Sequence, residues 1–162
     1  HVFRTYLPVL YVEEGFSLVS VGAMITLFSL AGTASGMIFG YCSDRIGFRK
    51  LFFCSFILAS PCLLLLVWAE GLWVYPLMFL SGFFIMATLP LGVTLAQTLA
   101  PKGRSMASSL MMGFAFGLGG TMTPIAGAFA DAFGIRPVLA CAALIPVMLL
   151  LFVSRLPEPR KT

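Results

Sequence analysis

The sequence predicts an all-α integral membrane protein built as one six-helix unit, with its first helix only part of a span. Three observations carry this prediction. Of the 162 residues 60% are hydrophobic and 10% charged, at a mean hydropathy of +1.03, whereas soluble chains hold roughly 25% charged residues. Five uncharged runs, Gly15–Ser43, Leu51–Ala69, Gly71–Pro101, Ser105–Ala130 and Pro137–Ser154, match the about 20 apolar residues that cross a bilayer as a helix. The loops between these runs alternate in the sign of their charge.

The elements follow in order. Residues 1–12, HVFRTYLPVLYV, supply about half a span, so the chain is expected to begin inside a helix. Complete spans are expected over 17–41, 51–69, 72–99, 105–130 and 137–154. Pro61, Pro90, Pro124 and Pro146 fall inside spans, where each removes a backbone hydrogen bond and invites a kink. Glycine separates two kinds of helix. Gly32, Gly36 and Gly40 form a doubled G-x-x-x-G ridge, and Gly113, Gly117, Gly119, Gly120 and Gly127 crowd the 105–130 span, while 51–69 and 137–154 hold none. Small residues let helix backbones approach closely, so the glycine-rich helices suit packing or sliding and the glycine-free ones suit lipid.

Charge sets the orientation. If Arg45, Arg49 and Lys50 are cytoplasmic, successive crossings place Lys102, Arg104, Arg155, Arg160 and Lys161 on the same side. The opposite loops receive Glu13, Glu14, Glu70 and Asp131 with Arg136, as the positive-inside rule requires. The C-terminus is then cytoplasmic, and the net charge of +4 reflects this sorting and not a nucleic-acid partner.

The loop GYCSDRIGFRK, Gly40 to Lys50, has a relative in GAFADAFGIRP, Gly127 to Pro137. Gly40, Asp44, Gly47 and Arg49 each match a residue 87 places later. Three spans separate the copies, so they face opposite sides, as an inverted repeat of three helices demands. The same shift implies about 14 residues ahead of His1 if the repeats are of equal length.

Other chemistries find little footing. Cys42, Cys54, Cys62 and Cys141 lie within or at the ends of apolar runs without C-x-x-C spacing, so they read as small hydrophobes, with no disulfide framework, metal site or cofactor expected. A serine dyad lacks a histidine other than His1, and Asp44 and Asp131 stand about 30 Å apart on opposite faces, which removes an aspartyl dyad. Proton coupling usually uses a buried ionisable group, yet the carboxylates lie at membrane ends.

Gly40, Asp44, Arg45, Gly47, Arg49 and Lys50 resemble the loop motif of the major facilitator superfamily, G-x-x-x-D-R/K-x-G-R-R/K, departing at Phe48 where the family usually has Arg. Val93 to Gly120 resembles the tenth and eleventh helices of the fosmidomycin-resistance branch. The resemblance implies the C-terminal half of a twelve-helix fold, made of the end of helix seven and helices eight to twelve, with two inverted three-helix repeats, and it implies that the ridges Gly32 to Gly40 and Gly113 to Gly127 lack partners within the chain. It implies as partners a missing N-terminal six-helix half, the lipid bilayer of the plasma membrane, a small-molecule substrate and protons. Drug efflux by alternating access is what the branch implies; import of small organic solutes and a non-transporting six-helix scaffold are the alternatives. The motif Asp corresponds to a residue that docks against the other half, while a plain basic anchor remains the other reading of the loop. Substrate-cavity candidates are Arg4, Thr88, Gln97, Phe114, Gly117 and Gly120. Arg4 either attracts an anionic substrate or snorkels over the about 13 Å of helix that separate it from Glu13.

Overall fold

The computed structural model describes residues 1–155, apart from the side chain of Asp44. Arg160 and Lys161, placed above on the basic side, lie outside the described residues. The chain forms α1 (Val2–Glu13), α2 (Leu18–Ile46), α3 (Phe48–Val67), a 3-10 turn at Gly71–Trp73, α4 (Val74–Met86), α5 (Thr88–Leu99), α6 (Arg104–Phe133) and α7 (Ile135–Val153). Among the described residues, five segments are long and apolar enough to cross a membrane, the third of them running from Gly71 to Leu99.

That third segment is divided at Ala87, between α4 and α5. Pro90 has no N–H to offer the carbonyl of Met86 four residues back, so the helical ladder is interrupted there. The Thr88 hydroxyl donates to the Ile85 carbonyl at 2.7 Å, which gives a side-chain partner to the backbone at the break. Pro61, Pro124 and Pro146 remain inside continuous helices.

Helix packing uses small residues and hydroxyls. A Cβ added at Gly82 of α4 would stand 2.7 Å from the Phe28 carbonyl of α2, and one at Gly32 of α2 would stand 2.9 Å from the Met86 side chain. Gly36 faces Pro90. The ridge from Gly32 to Gly36 therefore has its partner inside this chain, contrary to the expectation that it would lack one. Ser55 of α3 donates to the Phe84 carbonyl of α4, and Ser60 donates to the Ala143 carbonyl of α7 beside fully buried Ala59. Tyr11 ties α1 to α3 through the Leu66 carbonyl at 2.7 Å, and Tyr6 ties α1 to α6 through the Thr123 carbonyl at 3.0 Å. Such interhelical bonds contribute about 0.6 kcal/mol each on average in membranes, so close packing supplies most of the cohesion.

Two apolar clusters sit toward the two ends of the bundle. One joins Leu7, Tyr11, Met24, Leu66, Val74 and Leu139; the other joins Phe39, Phe48, Phe52, Leu91, Leu95 and Val153. The chain beyond the second cluster bears Asp44 with Arg45, Arg49, Lys50, Lys102, Arg104 and Arg155, and that beyond the first bears Glu13, Glu14, Glu70, Asp131 and Arg136.

Burial does not follow glycine content. Glycine-free α3 buries Leu51, Phe52, Ser55, Ala59, Ser60, Leu63 and Leu66 and turns only one side outward, whereas α6 buries Ala130 alone along 30 residues.

Candidate functional site

Two features stand out, the loop between α2 and α3 and the bare side of α6. At the loop, a single residue separates two long helices. Gly47 has φ +95° and ψ 148°, and its N–H donates to the Ser43 carbonyl at 3.3 Å to close α2. Gly134, 87 positions later, has φ +90° and ψ 158° and donates to Ala130 between α6 and α7. This region is essentially restricted to glycine. The two motif copies thus share one backbone device, and α2–α3 match α6–α7 helix for helix.

Around the first junction, Asp44 falls in the last turn of α2, and the Arg45 guanidinium lies 5.0 Å from the centroid of the Tyr41 ring. A cation in the last turn also suits the negative end of the helix dipole. Arg49 is half-buried and Lys50 exposed in the first turn of α3. Gly40 is helical, with open space where a side chain would be. At the second junction Gly127 takes the Tyr6 hydroxyl against its bare Cα, and Arg136 forms an ion pair with Glu14 that fastens α7 to the end of α1.

The exposed side of α6 forms an open groove of about 600 Å³, with Met106, Leu110, Gly113, Phe114, Gly117 and Thr121 among its lining residues. Their spacing of three and four residues makes one continuous helical face. Phe114 is 64% exposed, and nothing lies within 4 Å of a Cβ placed at Gly113, Gly117 or Gly120. Gly119 and Gly127, by contrast, are occupied by His1 and Tyr6.

A helical bundle with these repeated glycine junctions matches the family model described as Major Facilitator Superfamily over residues 2–162. The chain belongs to the Major Facilitator Superfamily. It is 31% identical over 152 residues to the fosmidomycin resistance protein of Escherichia coli (strain K12), covering 93% of this chain and 37% of that protein. It is 30% identical over 132 residues to the uncharacterized MFS-type transporter YfnC of Bacillus subtilis (strain 168), covering 82% of this chain and 32% of that protein. The chain thus spans about a third of the length of these curated relatives.

Within this superfamily member the cavity candidates divide. Phe114, Gly117 and Gly120 share the open α6 face. Gln97 of α5 is not among the groove's lining residues but is tied to α6, its amide N–H donating to Ser108 at 2.6 Å, and Ser108 in turn donates to the Arg104 carbonyl. Thr88, about 13 Å back along α5, is half-buried with its hydroxyl engaged by Ile85. Arg4 stands apart, in a small crevice of α1, α2 and α4 with Phe3, Leu7, Pro8, Phe28 and Met78. Reading the sequence missed the interhelical donors Tyr6, Tyr11, Ser55 and Ser60 and the Glu14–Arg136 pair. A hydroxyl inside an apolar run was the available signal for the first four; nothing along the chain links Glu14 to Arg136.

Proposed function

We propose that this chain is the C-terminal half of a secondary transporter that exports small organic molecules by alternating access. On this reading residues 1–12 are the end of helix seven, and 17–41, 51–69, 72–99, 105–130 and 137–154 are helices eight to twelve. The basic end is cytoplasmic, as the asymmetry of Lys and Arg supports. The observation that carries the proposal is the α6 face, a 30-residue helix buried only at Ala130 in a member of a transporter superfamily. A helix so uncovered suits the path between two six-helix halves, with Phe114 as apolar wall and Gly113, Gly117 and Gly120 admitting close approach of substrate or of an opposing helix. Similarity to a resistance protein of Escherichia coli supports efflux over import. The chain acts on no covalent bond in this scheme; it binds, encloses and releases. The proton carrier, where protons drive export, is assigned to the other half, because the described carboxylates lie at helix ends.

In the complete protein, Asp44→Asn and Gly117→Leu should each lower efflux several-fold while membrane abundance changes little. The first removes a charge at the junction and shifts the balance of access states; the second fills the path. Efflux and abundance falling in parallel for both variants would assign these residues to folding and sink the proposal.

A further inference from the structure

We propose that the seam between the helix pairs α3/α7 and α5/α6, at the basic end of the bundle, binds an anionic glycerophospholipid. One acyl chain lies in the groove and the phosphate lies on its rim. The seam holds an open cavity of about 360 Å³ whose lining side chains are all apolar, with Phe52 and Phe56 on one side, Leu95 and Leu99 on another, and Leu149 and Phe152 on a third. Gly92 contributes by what it lacks: a Cβ there would stand 2.8 Å from the Met111 methyl, which turns into that space. From Gly92 to Leu99 the groove follows about 10 Å of helix, a third of the about 30 Å hydrocarbon thickness. That depth suits the headgroup-proximal part of an acyl chain.

Every helix that lines the seam brings a cation to this end. Lys50 precedes Phe52 by two residues, Lys102 follows Leu99 by three, Arg155 follows Val153 by two, and Arg104 opens α6 two turns before Met111; all four are exposed. None of these four helices brings a carboxylate to this end among the described residues, and the acid at this end, Asp44, belongs to α2. Lys50 and Arg104 also sit in first turns that contain no acidic residue, where a positive charge opposes the helix dipole. A lipid phosphate relieves both conflicts, as basic pockets between membrane helices do for anionic headgroups.

A second apolar groove supplies the contrast. Between α6 and α7, Met122, Ile125, Phe129, Val138, Cys141 and Ile145 enclose about 540 Å³. Its end of the bundle carries Glu13, Glu14, Glu70 and Asp131, and the cation there, Arg136, is paired with Glu14. Equal greasiness with opposite rims leaves one groove fitted to an anionic lipid.

The test places Phe152→Trp as sole tryptophan in the complete protein, reconstituted in phosphatidylcholine vesicles. Phosphatidylglycerol with brominated acyl chains should quench this reporter at a mole fraction at least five-fold lower than brominated phosphatidylcholine. Leu99→Trp, on another wall, should show the same preference, which guards against local damage by the first reporter. Native Trp73, at the far end and 75% exposed, should show none as sole tryptophan. Replacing Lys50, Lys102, Arg104 and Arg155 together by Gln should abolish the preference, each charge contributing about a five-fold change. Equal quenching by the two lipids, a preference that survives the quadruple variant, or the same preference at Trp73 would overturn the proposal. Quenching by neither lipid would overturn it too, by showing the groove covered by protein.

Discussion

At Gly47 and Gly134 the backbone holds φ near +90° with an extended ψ, and a Cβ at either position introduces steric strain of about 1–3 kcal/mol. Gly47→Ala and Gly134→Ala should therefore each destabilise the protein in detergent unfolding by that amount. Gly40 is the informative comparison within the same motif. It is helical with open space beside it, and alanine is a better helix former than glycine by about 1 kcal/mol, so Gly40→Ala should leave stability unchanged or raised. Unchanged unfolding for both Gly47→Ala and Gly134→Ala would show that the one-residue junctions relax, and would remove the physical reason for glycine at this motif position. The sequence comparison alone paired these glycines, yet could not reveal that they adopt the same conformation, because a matching letter says nothing of φ.

Among the helices, the close approach of α2 and α4 depends on absent side chains. Gly82 faces the Phe28 backbone, which has no rotamer to move, while Gly113 and Gly120 face open space. Gly82→Ala should lower the yield of folded protein sharply, since backbone must shift to admit a methyl group in a packed interface. Gly113→Ala and Gly120→Ala should leave yield unchanged, and equal yields across all three would contradict the packing of α2 on α4. The spans themselves were legible from apolar length, since each run had to cover a bilayer. The break at Ala87 was not. Pro61, Pro90, Pro124 and Pro146 look alike along the chain, and only at Pro90 does the helix divide, where Thr88 gives a backbone carbonyl a hydroxyl partner. Glycine likewise marked tight packing without saying where its partner lies: Gly32 and Gly36 meet α4 and α5 within this chain, whereas Gly113, Gly117 and Gly120 meet nothing in it.

For the molecule as a whole, the proposed orientation makes Lys102 cytoplasmic and Glu70 external. With the native cysteines removed, Lys102→Cys should react with an impermeant thiol reagent only from the cytoplasmic side and Glu70→Cys only from outside; labelling of both from one side would reverse or dissolve the assignment. The functional unit follows from the same arrangement. Leu110, Phe114 and Leu118 are 50–64% exposed on one face of a helix that the chain buries only at Ala130. Lipid can cover such a face, but a path for a polar molecule needs a second wall, and the relatives are about three times as long as the matched region. Residues 1–162 reconstituted alone should therefore bind to vesicles as a folded helical bundle yet show no substrate-dependent flux. Co-expression with the corresponding upstream half should restore efflux in proportion to the complex recovered by co-purification. Flux from the purified chain alone would mean that two copies supply both walls, and the α6 groove would then face its own symmetry mate and not a different half.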